Sequence, residues 1–237
     1  MLSVYRLSLR QLSGKWRMLL TILLILMPIT MSVIQTLVDD GPPDDEFVAV
    51  VFGGMLIGSI LPIIVLAISS AAFANEIEDR TLANLVLSPI ARWKIIIPKL
   101  LASITIAAPF LAISAVVASS LSFESDTEAV IAVTVGTLVG VLVYSSVFLW
   151  AGLMSTRAIG FGLLYVFLWE GLFSGMVSGI RFLSIRHYAT AIVHGMDERQ
   201  FGQGDTMSLA TSVGAAAAVF VIFVLLSIRR LRRMDVP

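Results

Sequence analysis

Long apolar runs, separated by short polar stretches, dominate the chain. Six of them reach the roughly 20 helical residues needed to cross a hydrocarbon core of about 30 Å. The runs are Met18–Val38, Phe47–Ala74, Pro98–Leu121, Glu128–Leu153, Ile159–Ile180 and Ser208–Ile228. Because they are continuously apolar rather than alternating, they predict helices and not barrel strands. The pattern therefore predicts an all-α membrane protein with six transmembrane helices.

The first 17 residues have a different pattern. One face of a helix would carry an apolar stripe that ends at Trp16, and another face would carry basic residues that include Arg6 and Arg10. Such a segment is typical of an amphipathic helix that lies in the membrane interface, with its Arg side chains at lipid phosphates. We predict this interfacial helix for residues 1–17, and the alternative is an ordinary basic flank of the first span.

A polar segment, residues 75–97, interrupts the apolar runs after the second span. Asn75 and Glu78 have the spacing of a helix N-cap and its capping box. An apolar face follows, Ser88-Pro89 would end the helix, and the exit toward the membrane is basic. The sequence predicts a short cytoplasmic helix with an apolar side.

Composition and charge define the class of protein and its orientation. A mean hydropathy of +0.96 with 14% charged residues excludes a soluble globular domain. Thirteen of the 16 Lys and Arg residues fall at the termini, in the second-to-third connection as far as Lys99, or in the fourth-to-fifth connection. The positive-inside rule then places both termini and residues 75–97 in the cytoplasm. We predict a multi-pass protein of the cell (inner or plasma) membrane.

Several chemistries find no support in the sequence. The chain has no cysteine, which excludes disulfides, thiol chemistry and iron–sulfur clusters. His187 and His194 lack a third ligand at suitable spacing, so no metal site is predicted. The phosphate-binding motif GxxxxGK[ST] is absent, so any ATPase must be a separate chain.

Glu170 is the only Asp or Glu deep within a predicted span. A charge at this depth costs about 2.5–3.5 kcal/mol on insertion scales, so Glu170 should face protein or water. One interpretation places it, with Tyr144, on a substrate path. The other makes it a structural group, protonated or hydrogen-bonded to a hydroxyl such as that of Tyr144, Ser145 or Ser146.

Small residues and the longest predicted external loop complete the pattern. Gly171, Gly175 and Gly179 form a GxxxGxxxG series that suits close helix packing. The pairs Gly54–Gly58 and Gly136–Gly140 are attributed to the general enrichment of glycine in membrane helices.

Residues 181–207 form a predicted extracytoplasmic loop with one or two short amphipathic helices that re-enter the outer leaflet.

The residues from Glu76 to Lys99 resemble the cytoplasmic coupling segment of ABC-2 type permeases, the membrane subunits of ATP-binding-cassette exporters. The matching positions are Glu76, Glu78, Thr81, Leu82, Leu85, Leu87, Pro89, Ile90, Arg92, Ile95 and Lys99. The resemblance implies one transmembrane domain over residues 1–237, of the type V exporter-like kind. It also implies that the ATPase docks on this segment, for which we expect Glu76, Glu78, Asp79, Thr81, Leu82, Leu85, Pro89 and Arg92 to be the coupling residues.

The same resemblance implies a division of labour between subunits. The expected partners are a cytoplasmic ABC ATPase, a second permease subunit and membrane lipid, and no nucleic acid. ATP and Mg²⁺ would be bound by the ATPase, with no cofactor in this chain, which would itself not be an enzyme. We expect efflux of a hydrophobic or amphipathic substrate. The alternatives are an ion-coupled secondary transporter or channel that uses Glu170, and an intramembrane enzyme, for which no nucleophile–base pair is visible.

Overall fold

Helices account for almost all of the backbone that the structure describes. The computed structural model describes residues 2–38, 41, 43–78, 91–124, 126–155, 157–173, 184–201 and 207–233. Within these ranges the elements are helices and no strand occurs, which confirms the all-α prediction.

The helices follow the apolar runs closely. The entry helix is Leu2–Leu12 and the loop helix is Ile185–Met196, which Glu198–Phe201 follows. The remaining elements are Lys15–Val38, Asp45–Val48, Ala49–Ile60, Leu61–Ser69, Ala71–Glu78, Trp93–Ser122, Thr127–Met154, Ala158–Leu164, Tyr165–Phe173 and Leu209–Arg233. Two of these, Ala49–Ile60 and Tyr165–Phe173, are π-helical and therefore wider than an α-helix.

In the described part of the chain, five helical segments are long and apolar enough to cross a membrane. They are the first span Lys15–Val38, the second Asp45–Phe73, the third Trp93–Ser122, the fourth Thr127–Met154 and the last Leu209–Arg233. The remaining predicted span, Ile159–Ile180, is described as far as residue 173, and there the structure has the shorter apolar helix Ala158–Gly171.

The fourth span forms the centre of the helical bundle. It packs against the second, third and last spans and against the loop helix. Its buried side chains are small or apolar along nearly its whole length, so neighbouring helices approach closely on several sides. The first and last spans, in contrast, leave large apolar side chains exposed, such as Leu23 and Leu225. Those surfaces suit contact with lipid.

Buried hydroxyl groups join the first span to the third. The Ser114 hydroxyl donates a hydrogen bond to the carbonyl oxygen of Ile25 at 2.8 Å, and the Ser122 and Ser32 hydroxyls are 2.9 Å apart. Interhelical hydrogen bonds of this kind contribute about 0.6–2 kcal/mol each in membrane proteins. They fix the register of the two spans.

The entry helix packs on the third span through the middle of its apolar stripe. Leu12 is fully buried, and the Tyr5 hydroxyl donates a hydrogen bond to Oγ1 of Thr105 at 3.0 Å. Arg6 and Arg10 are exposed on this helix, which ends at Leu12, whereas Trp16, 79% exposed, belongs to the first span Lys15–Val38. An interfacial position of this helix stays a prediction.

The helix start predicted at Asn75 is wrong. The helix Ala71–Glu78 begins after a turn at Ser70 and runs through position 75 without a break. The reason is local sequence, because Ala71, Ala72 and Phe73 continue the apolar run and offer no cap. Position 75 therefore lies inside a helix whose Ala72 and Phe73 are fully buried.

Candidate functional site: the base of the coupling segment and a buried carboxyl group

The helices on either side of the predicted coupling segment are joined by a buried ion pair. Nζ of Lys99, in the third span, lies 2.6 Å from Oε1 of Glu76, at the end of the helix that continues the second span. The Lys99 ammonium also donates to the carbonyl oxygen of Ala72 and lies 4.6 Å from the ring centroid of Phe73. Lys99 is 1% exposed and Glu76 is 7% exposed.

Such an environment makes the pair a rigid joint. A charged group that loses water needs a partner, and removal of one member of a buried pair costs about 3–5 kcal/mol. The three partners of the ammonium, namely the Glu76 carboxylate, the Ala72 carbonyl oxygen and the Phe73 ring, all belong to the helix Ala71–Glu78. The joint therefore holds together the ends of the second and third spans that flank residues 79–90 in the sequence.

Several predicted coupling residues can be placed relative to this joint. Glu76 faces the third span, and Arg92 is half-buried immediately before the helix Trp93–Ser122. Glu78 ends its helix. Asp79, Thr81, Leu82, Leu85 and Pro89 lie outside the described residues. Their docking role stays a prediction.

Glu170 is completely buried and serves as an acceptor at the start of the loop helix. Its carboxyl oxygens accept hydrogen bonds from the Ser184 hydroxyl at 2.6 Å and from the backbone N–H groups of Ile185 at 3.0 Å and Arg186 at 3.3 Å. The Tyr165 hydroxyl donates to the same carboxyl group at 2.9 Å. Backbone N–H groups at a helix N-terminus are favourable partners for an acidic side chain.

The start of the loop helix is thus capped twice. The Ser184 hydroxyl donates to Glu170 and accepts from the backbone N–H of His187 at 3.2 Å. Further along the helix, burial and then the nearby Glu170 raise the pKa of the Tyr188 hydroxyl above its ordinary value.

Tyr144, the second predicted path residue, belongs to the bundle centre. It is fully buried, and its ring stacks on Phe148 at a centroid distance of 5.5 Å. Phe148 in turn meets the ring of Tyr165, which bonds to Glu170. Tyr144 and Glu170 therefore lie in one connected region, and their role in a substrate path stays a prediction.

Gly58 in the second span and Gly136 and Gly152 in the fourth span make close contacts, which the sequence interpretation missed. A Cβ added at Gly136 would lie 2.4 Å from Cγ2 of Val193, and one added at Gly58 would lie 2.8 Å from the Arg186 guanidinium carbon. At Gly152 it would lie 2.3 Å from the carbonyl oxygen of Ser70. Gly171, by contrast, approaches nothing closer than 3.7 Å, while Gly175 and Gly179 lie outside the described residues.

No curated protein matches the chain closely enough to count as a relative. A family model described as ABC-2 family transporter protein matches residues 13–193, about three quarters of the chain. The chain belongs to the ABC-2 family. The prediction of an ABC-2 type permease is thereby confirmed.

Family membership has direct consequences for the site. An ABC-2 permease is a membrane transport component and works with an ABC ATPase subunit. The matched range includes the whole predicted coupling segment, the ion pair at its base, Glu170 and most of the loop helix. Among the described residues of this permease, no group of three or more His, Asp or Glu side chains is placed to hold a metal ion.

Proposed function

We propose that the chain is the transmembrane permease subunit of an ABC exporter. It couples ATP hydrolysis by a separate nucleotide-binding subunit, which holds the ATP and Mg²⁺, to the efflux of a hydrophobic or amphipathic substrate. The observation that carries the proposal is the buried Lys99–Glu76 pair in a chain of the ABC-2 family. A motor that pushes on residues 79–90 would act on two spans at once through this joint.

A chain of packed helices connects the Lys99–Glu76 pair to the opposite end of the bundle. The third span contacts the fourth span, and the fourth span contacts the loop helix. The loop helix is held at its first turn by Glu170. A displacement at the Lys99–Glu76 joint therefore has a continuous packed route to the far end of the bundle, because close-packed helices move as rigid units.

A complete transporter on this proposal contains two permease subunits in the cell membrane, with both termini and residues 79–90 in the cytoplasm. The Lys and Arg distribution supports the orientation. The exposed apolar faces of the first span and of Ala158–Gly171, which include Leu23 and Phe167, supply surfaces for lipid and for the second subunit.

An ion-coupled transporter that uses Glu170 finds less support. A coupling carboxyl group must exchange its bound ion with water, whereas Glu170 is fully buried and engaged by the loop-helix N–H groups and two hydroxyls. This arrangement supports a structural role.

Copurification tests the proposal. An affinity-tagged permease is coexpressed with an ABC ATPase subunit from the same organism, and the partner ATPase should copurify in stoichiometric amount. The double variant Leu82→Asp/Leu85→Asp should lose the ATPase, whereas Glu46→Gln at the opposite end of the second span should keep it. Full retention of the ATPase by the double variant would contradict the assigned docking surface.

A further inference from the structure

A cavity of about 400 Å³ opens at the end of the bundle opposite the Arg-rich termini. It lies between the start of the second span and the helices 185–201. Its lining residues are Asp45, Val48, Ala49, Phe52, Gly53, Ile57, Thr190, Val193, His194, Gln200 and Phe201. The volume lies within the usual range of small-molecule sites, about 300–1,000 Å³.

Aromatic and aliphatic side chains form most of the cavity wall, and an aromatic cluster supports it. The Phe52 ring stacks on Phe123 at 5.3 Å, and Phe123 meets Phe201 edge-to-face at 5.4 Å. Phe201 lies 6.0 Å from the ring of His194. The wall is therefore held by mutual packing across several helices, as expected for a preformed site.

Asp45 is the one Asp, Glu, Lys or Arg in the cavity lining, and the other polar lining residues are Thr190, His194 and Gln200. Asp45 lies in the lining and is exposed, and Asp44 beside it accepts from the backbone N–H of Phe47 as the helix cap. Around the same end of the described chain stand further acids, namely Glu46, Glu124, Asp126, Glu128, Asp197 and Glu198. The described cations there are Arg186 and Arg199, and the Arg186 guanidinium is directed toward Gly58.

We propose that this cavity binds a lipophilic organic cation. The aromatic and aliphatic wall takes up the apolar body, because burial of apolar surface and cation–π contact both favour such a ligand. The Asp45 carboxylate lies at the cationic centre, and the acidic surroundings raise the local concentration of cations and repel anions. A neutral or anionic compound of the same shape would still bury its apolar surface in the cavity, but it would not be attracted by Asp45 and the surrounding acids.

The lipophilic cation would be the class of substrate that the proposed exporter carries, so this proposal rests on the proposed function. Binding to the isolated permease requires no ATPase, however. A failure of the binding test is therefore distinguishable from a failure of the copurification test.

Two ions of nearly the same shape and opposite charge provide the experiment. Equilibrium binding of radiolabelled tetraphenylphosphonium and tetraphenylborate is measured on the intact purified permease in nanodiscs made with neutral lipid. The cation should bind saturably, and the anion should bind at least about tenfold more weakly. Asp45→Asn should weaken binding of the cation about three- to tenfold.

A second variant fills the cavity without disturbing the fold. A Cβ at Gly53 meets no atom within 4 Å, so the side chain of Gly53→Leu enters the open space and should weaken cation binding at least about tenfold. The matched control is Gly160→Leu, because Gly160 is equally open and lies outside the cavity, so this variant should bind the cation as the unsubstituted permease does. Equal binding of the two ions, no saturable cation binding, or unchanged binding in Asp45→Asn or Gly53→Leu would overturn the proposal.

Discussion

The ammonium of Lys99 and the carboxylate of Glu76, 23 positions apart in sequence, form a buried ion pair at 2.6 Å. The pair fixes the second span to the third, close to the two ends of the chain that flank residues 79–90. On the function proposed above, a cytoplasmic ATPase applies force next to this pair. We regard the pair as the mechanical joint between the docking surface and the spans.

Replacement of one member of the joint should destabilise the permease strongly. Lys99→Met leaves the Glu76 carboxylate without its ammonium partner in a buried site, and Glu76→Gln leaves the ammonium without its counter-charge. Each single variant should lose about 3–5 kcal/mol of stability. Thermal unfolding in detergent, followed by tryptophan fluorescence, measures the loss.

The double variant distinguishes a specific pair from general sensitivity. Lys99→Met/Glu76→Gln removes both charges and should be less destabilised than Lys99→Met alone. Lys94→Met is the matched control, because Lys94 is an exposed cation on the same helix and should tolerate replacement. Additive losses in the double variant would show that the two side chains do not interact.

Glu170→Gln should loosen the start of the loop helix. The amide offers one acceptor oxygen where the carboxylate offers two, so an N–H or hydroxyl donor is left unpaired, at a cost of about 1–3 kcal/mol. Hydrogen–deuterium exchange should speed up at Ile185–Tyr188. Glu128→Gln, an exposed acid at the start of the fourth span, should leave that exchange unchanged. Unaltered exchange in Glu170→Gln would contradict the capping role.

Gly152→Ala should separate the fourth span from the second. The new Cβ would lie 2.3 Å from a backbone oxygen of Ser70, which cannot move as a side chain can, so we expect a loss of about 1–3 kcal/mol. Gly160→Ala is the control, because its Cβ meets nothing within 4 Å. Both changes gain the same helix propensity, so the difference between their unfolding temperatures reports the close contact. Equal temperatures would refute it.

The long apolar runs predicted most of the fold, because a run of 20 or more apolar residues rarely forms anything except a membrane-spanning helix. The fourth span was predicted as Glu128–Leu153 and is observed as Thr127–Met154, so each predicted end differs from the observed end by one residue. The same continuity hides the π-helical stretch Ala49–Ile60. A run that is apolar on every side carries no periodicity that could distinguish one helix type from another.

The Lys99–Glu76 ion pair was not predicted from the sequence, although the position of Lys99 indicated a buried cation. Lys99 was assigned to the polar coupling segment, yet it lies between Ile95–Pro98 and Leu100–Leu101, within an apolar run. A cation in that setting requires a buried partner. The close contacts of Gly136 and Gly58 escaped for another reason, because they depend on helix crossings that the local sequence does not specify.

The most direct measurement of the central claim uses the absence of cysteine from the chain. Single variants Leu85→Cys and Glu128→Cys are each coexpressed with the ABC ATPase and treated with a short cysteine-to-lysine cross-linker in membranes. Leu85→Cys should cross-link to the ATPase, with a yield that changes when ATP is added, and Glu128→Cys should give no cross-link. A cross-link from Glu128→Cys, or none from Leu85→Cys, would contradict the account that the ATPase drives this permease through the segment closed by Lys99 and Glu76.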